Sequence, residues 1–143
     1  MTDKDLAEFC ALSYNYSTLT VNELEVLIER RDGVQYIAIR GTEASRLISG
    51  SGFLDVLRDM RIIPWYDSHL GWCHSGFLKG ALKVLEQLSF IKNEEIVVTG
   101  HSLGAGVGQL LALKLAMMGR EVKFVGFGMP RCFVGRPSST VID

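Results

Sequence analysis

The sequence predicts an α/β fold: a sheet that is mostly parallel after an N-terminal hairpin, with helices on both faces. Three observations carry this. Leu24 to Arg30 and Val34 to Arg40 are strand-like runs joined by Arg31-Asp32-Gly33, and Asp-Gly between apolar runs is a strong hairpin signal. The β-branched run Ile96-Val97-Val98-Thr99 passes through a glycine-rich turn into an apolar stretch from Leu103 to Met118 that reads as a helix. A helical segment before that unit and a strand after it complete the order helix, strand, helix, strand. That order implies parallel pairing through right-handed crossovers.

The elements follow in order. Thr2 or Asp3 can cap a first helix running to about Tyr14, with Leu6, Phe9, Cys10 and Ser13 on one stripe. Asn15 to Asn22 is polar and reads as a loop. In the second hairpin strand, Tyr36, Ala38 and Arg40 alternate with Gln35, Ile37 and Ile39, apolar enough for a central strand. Glu43 to Gly52 has a flexible composition, and Phe53 to Met60 suggests a short amphipathic helix. Pro64 to Asp67 reads as a turn and His69 to Gly76 as a loop. Phe77 to about Phe90 is helical, because Leu78, Ala81, Leu82, Leu85 and Leu88 recur at three and four. Gly119 is the expected C-cap of the following helix. Val122 to Gly128 reads as a buried strand, and Thr140-Val141-Ile142 as the start of another.

Composition narrows the function. Residues 1–143 suit one domain with a large core, since 48% are hydrophobic. Fifteen basic and 16 acidic residues leave a net charge of -1, spread along the chain, with no footprint for nucleic acid. No apolar run approaches the roughly 20 residues of a membrane span. Met1 to Asp5 is polar with no apolar segment behind it, so a cytoplasmic location is expected. Cys10, Cys73 and Cys132 lie far apart and are expected to be reduced thiols; no metal site and no cofactor are expected.

The candidate chemistry sits in Gly100-His101-Ser102-Leu103-Gly104, a G-x-S-x-G pattern. Between a strand and a helix, this reads as a nucleophile elbow. Side chains two residues before and after the serine would collide with the strand and helix that the turn joins. The turn lifts the Ser102 hydroxyl clear of the backbone, beside free N–H groups of a helix start. A dinucleotide site is excluded by Gln109, which breaks G-x-G-x-x-G, and no Lys-Ser/Thr follows for a phosphate loop. Trp65, Tyr66 and Trp72 suit either a ligand surface or loop anchoring.

Five segments in order resemble one family, the class 3 (fungal-type) triacylglycerol lipases of the α/β-hydrolase fold. They are Ile39-Arg40-Gly41-Thr42, Asp55-Val56-Leu57-Arg58-Asp59, His74-Ser75-Gly76-Phe77, Gly100 to Gly106, and Phe127-Gly128-Met129-Pro130-Arg131. The resemblance implies a serine esterase or lipase working through an acyl-enzyme. Ser102 would be the nucleophile, and the backbone N–H groups of Leu103 and Thr42 would form the oxyanion hole. The Thr42 hydroxyl would be a third donor. Glu43 to Phe53 would be the lid, with Gly50 and Gly52 as soft points and Leu47, Ile48 and Phe53 toward an acyl chain.

In the family the catalytic acid lies just past the strand after Pro-Arg, and the histidine later still. Here Val141-Ile142-Asp143 resembles the opening of that segment, no histidine follows Ser102, and the chain reads as C-terminally incomplete. Asp143 is a candidate acid, and His74 and His69 are candidate bases. His101 is expected to point away from Ser102 and pack behind the elbow. The expected partners are an ester or lipid substrate, a transient lipid interface, and a second copy or covering chain for the Val122–Gly128 strand. Two functions stay open: an ester hydrolase, and an inactive hydrolase fold that binds lipid or protein.

Overall fold

The computed structural model describes residues 1–21, 24–40, 64–67 and 71–128, the side chains of 64–67 and 71–75 excepted. Thr42, His69 and Asp143, the lid at 43–53, the helix at 53–60 and the strand at 140–142 lie outside the described residues.

The first helix, α1 (Asp3–Leu12), starts at Thr2. The Thr2 hydroxyl accepts from Asp5 N–H at 3.1 Å, and the Asp5 carboxylate accepts from Thr2 N–H at 2.8 Å. This reciprocal box satisfies donors that the helix start leaves unpaired. The Thr2 N–H, most of all, and the Thr2 hydroxyl, which donates to Asp5 Oδ2 at 2.9 Å, hold the Asp5 carboxyl below its usual range. The helix ends two residues earlier than the sequence predicts.

Three strands follow: β1 (Leu19–Val21), β2 (Leu24–Arg31) and β3 (Val34–Arg40). Asp32 and Gly33 take positive φ values of 52° and 78° between β2 and β3, as the hairpin signal requires. β1 corrects the expected loop. Three residues between polar flanks carry no periodicity, yet they pair antiparallel with β2 from Leu19↔Val26 to Val21↔Leu24.

A second correction concerns the expected turn at 64–67 and loop at 69–76. β4 (Pro64–Asp67) and β5 (Gly71–His74) form an antiparallel hairpin with Pro64 opposite His74. Proline is tolerated at the first residue of a strand, and Trp65, Tyr66 and Trp72 are strong strand formers. The helix α2 (Ser75–Gln87) follows directly, two residues ahead of the expected start.

The rest of the chain builds the parallel half of the main sheet. β6 (Glu95–His101), α3 (Leu103–Met117) and β7 (Val122–Phe127) follow in order. The five-stranded order is β1-β2-β3-β6-β7. β6 lies between β3 and β7 and is parallel to both. The sheet is therefore mixed: antiparallel through β3 and parallel beyond it. Among the described residues β7 is an edge strand, and four of its residues in a row, Phe124 to Phe127, are only half-buried.

Alternation along the strands divides the core. On one face Val26, Ile37, Ile39, Ile96 and Val98 meet α2 and α3. On the other, Leu6 and Phe9 of α1 cover Tyr36, Ala38 and Val97. α3 carries most of the burial. Eleven of its residues are buried, so it is apolar on nearly every side. Each buried leucine contributes roughly 2 kcal/mol of transfer free energy. Gly106 allows α3 to close on α2, since a Cβ there would lie 2.7 Å from the Phe77 ring.

Cys10 is a free thiol in the core, and burial pushes its pKa up to about 11, which makes it a poor nucleophile at neutral pH. Among the described residues no helix is long and apolar enough to cross a membrane.

Candidate active site

Ser102 stands between β6 and α3, at the N-cap of the helix. Its backbone lies at φ 57° and ψ -120°, a conformation that side-chain-bearing residues rarely adopt. Such strain costs about 1–3 kcal/mol and persists only where surrounding structure fixes it.

Three features fix it. Ser102 N–H donates to Phe127 O at the end of β7, at 2.9 Å. Ser102 O accepts from Gly106 N–H at 3.1 Å, the first turn of α3. At Gly100 a Cβ would lie 2.4 Å from Gly104 O and 2.7 Å from Ala105 N. Those are backbone atoms that cannot swing aside, so the strand and the helix meet too closely for any side chain at position 100.

Among the described residues the hydroxyl has no structural role. Ser102 is 2% exposed, its side chain makes no cap bond, and Oγ has no hydrogen-bond partner among the described residues. Thr99, three residues earlier and fully buried, shows the usual behaviour: its hydroxyl donates to Val125 O at 2.8 Å. An unpaired buried polar group costs about 1–3 kcal/mol and calls for an explanation. Among the described residues two more such atoms occur, Arg40 Nε and Gln35 Oε1. Arg40 ends β3 beside the elbow; nothing in the structure accounts for Gln35.

Leu103 is the first residue of α3, so its N–H has no acceptor within the helix. An N–H group at a helix N-terminus suits a negatively charged oxygen. Thr42 lies two residues past Arg40, outside the described residues. Asp143 and His69 are outside them as well. His74 closes β5, and its side chain is not described.

His101 is engaged elsewhere. It falls on the same side of β6 as Val97, toward α1, and its Nδ1 is 3.0 Å from the Tyr14 hydroxyl. The rings stand edge to face at 6.2 Å. Contrary to the expected packing behind the elbow, His101 is exposed. Its hold is the Tyr14 bond, not burial.

Tyr14 has a second role. Its carbonyl accepts from Arg40 Nη1 at 2.8 Å, and the guanidinium carbon lies 5.9 Å from its ring centre. Burial pushes the pKa of the Tyr14 hydroxyl up, so it stays protonated at neutral pH. Arg40 Nη2 also reaches Glu25 Oε1 at 3.8 Å. Glu25 is held below the usual carboxylate range, first by the Ser17 hydroxyl, then by Thr20 and Arg40. Sequence reasoning missed this network. Residues 87 positions apart, as Tyr14 and His101 are, share no local spacing.

The family model described as Lipase (class 3) matches residues 36–136, the span that holds β3, the elbow and β7. Among solved structures, lipase II from Rhizopus niveus superposes with a TM-score of 0.61 at 19% identity, over 93% of this chain and 65% of that chain. The lipase from Rhizopus microsporus var. chinensis gives 0.56 at 21% identity, over 82% of this chain and 44% of that one. The native Rhizomucor miehei lipase propeptide complex gives 0.55 at 20% identity, over 90% and 53%. The chain thus spans between 44% and 65% of the length of these structures, and at such identities the likeness is one of fold. A comparison with curated protein sequences gives no match. With more than half of its residues inside the family match, the chain belongs to the class 3 lipases, and its mixed sheet is that of an α/β-hydrolase fold seen in part.

Proposed function

We propose that Ser102 is the nucleophile of a carboxylic-ester hydrolase acting on lipid or ester substrates. One observation carries the proposal: a buried hydroxyl without a partner among the described residues, held at a strained turn on a helix N-terminus. Among the described residues it is left unsatisfied at a cost in stability, which is the behaviour of a group kept for chemistry.

In this reading Ser102 Oγ attacks the ester carbonyl carbon, and its proton passes to a base. The carbonyl electrons move onto oxygen, and that oxyanion is held by the N–H groups of Leu103 and Thr42, with the Thr42 hydroxyl beside them. Each such donor is worth about 3 kcal/mol of barrier. Collapse expels the alcohol, protonated by the same base, and water then releases the acid from the acyl-enzyme. His101 is turned to Tyr14, so the base and its acid are assigned to residues whose side chains lie outside the described ones, His74 among the candidates. Ser102 is closed off from solvent, so substrate entry requires an opening step, which we assign to the lid at 43–53. The half-buried edge that β7 forms among the described residues is assigned a covering strand, from a second copy or another chain; light scattering at high concentration then shows a species above the monomer mass, and a monomer throughout removes the assignment.

The test of function is turnover of short-chain p-nitrophenyl esters by this chain, by a version extended at its C-terminus, and by Ser102→Ala counterparts of both. Activity in either form that is lost in its Ser102→Ala counterpart supports the hydrolase. Equal turnover with and without Ser102 removes it and leaves a lipid- or protein-binding module as the reading.

A further inference from the structure

The Tyr14, His101 and Arg40 contacts join two strands that the proposed chemistry needs in register. Ile39 pairs with Gly100 across β3 and β6, so the next residues, Arg40 and His101, end neighbouring strands side by side. Both belong to the face that α1 covers. β6 passes from His101 directly into Ser102; β3 passes from Arg40 through Gly41 to Thr42. The chain just after α1 meets both ends: the Tyr14 hydroxyl on His101 Nδ1 at 3.0 Å, and the Tyr14 carbonyl on Arg40 Nη1 at 2.8 Å.

We propose that Tyr14 is a positioning residue: from one point it holds the residue before the nucleophile and the residue at the root of the second oxyanion donor. This rests on the reading of Ser102 as nucleophile and extends it to how the turn is kept in place. The reason is mechanical. On the α3 side the turn is pinned by Gly106 N–H and by the close approach at Gly100. Toward β7 it is held by Ser102 N–H on Phe127 O, and on the α1 side the His101 side chain adds a tether, its bond to Tyr14. His101 is exposed, so beyond the edge-to-face ring contact little packing replaces that bond if it is lost. A strained turn persists only where its surroundings over-determine it.

Hydrogen exchange of individual amides, followed by NMR, tests this without relying on activity. The variants are Tyr14→Phe, which keeps the ring and the carbonyl, His101→Ala, and the double variant. The Ser102 amide, bonded to Phe127 O, is expected to exchange about tenfold faster in each single variant. The double variant should show no further increase, and Val97 and Val98 in the middle of β6 should be unchanged. An unchanged Ser102 amide, an equal acceleration along all of β6, or additive effects would each overturn the proposal. Should Tyr14→Phe fail to fold, His101→Ala alone decides by the same readout. Failure of ester turnover would remove the nucleophile reading and leave this result standing, because exchange is measured in either case.

Discussion

The two ends of β6 are built on opposite terms. At its start nearly every polar group near the chain is paired. Glu94 is buried, yet its carboxylate accepts from Arg30 Nε at 2.7 Å and from Ile91 N–H at 3.1 Å. Arg30 also donates to Ser89 O, Arg120 to Ile91 O, and the first residues of β6 bond to Gly33 and Glu121. At its end the backbone is strained, a serine hydroxyl is buried without a partner among the described residues, and Arg40 Nε beside it is likewise unpaired. One end serves the fold. The other is held in a conformation the fold alone does not favour, and that asymmetry marks the site more sharply than the G-x-S-x-G pattern does.

Breaking the crowded end should have the largest effect. Gly100→Ala forces a methyl onto Gly104 O, and a loss of about 3 kcal/mol is expected in urea unfolding, the upper range for overpacking. Gly119→Ala is its control: Gly119 has φ +85° but no atom within 4 Å of where a Cβ would sit, so only the left-handed penalty of about 1 kcal/mol applies. A loss at Gly100 no larger than that at Gly119 would contradict the crowding. At the well-paired end, Glu94→Ala leaves Arg30 Nε and Ile91 N–H without their acceptor; about 2 kcal/mol is expected by the same measurement.

Ser102→Ala should act in the opposite direction. Removing a buried hydroxyl that has no partner among the described residues is expected to raise stability by about 1 kcal/mol, whatever it does to activity. A loss of stability would mean the hydroxyl is a structural group. The smallest effect belongs to Glu25. Its carboxyl is held below the ordinary 4.5, so the stability it contributes is present above that pH and is lost as the pH falls through the lower, folded value. Glu25→Gln should flatten the acid limb of a thermal-melt series by about 0.5 kcal/mol or less, since the group is near the surface.

These expectations also separate what was legible from what was not. The hairpin at Asp32-Gly33 and the unit from Ile96 to Met117 could be read directly, because turn chemistry and a change of apolar period are local signals. The need for Gly100 was legible on the same ground. β1 was hidden because three residues are too few to show alternation, and β4 and β5 because Pro64 and Gly71 suggested loops. The buried, unpaired state of Ser102 Oγ and the Tyr14 tether depend on tertiary placement. Strand alternation could assign Arg40 and His101 to one face, but it could not say that α1 ends beside them.

The most direct measurement of the central claim is covalent labelling with a fluorophosphonate probe, followed by peptide mass spectrometry. The account predicts a single adduct on the peptide containing Ser102, in this chain or in its C-terminally extended form, absent in the Ser102→Ala counterpart and weakened in Tyr14→Phe. An adduct on another serine, or equal labelling of the wild type and Ser102→Ala, would contradict it.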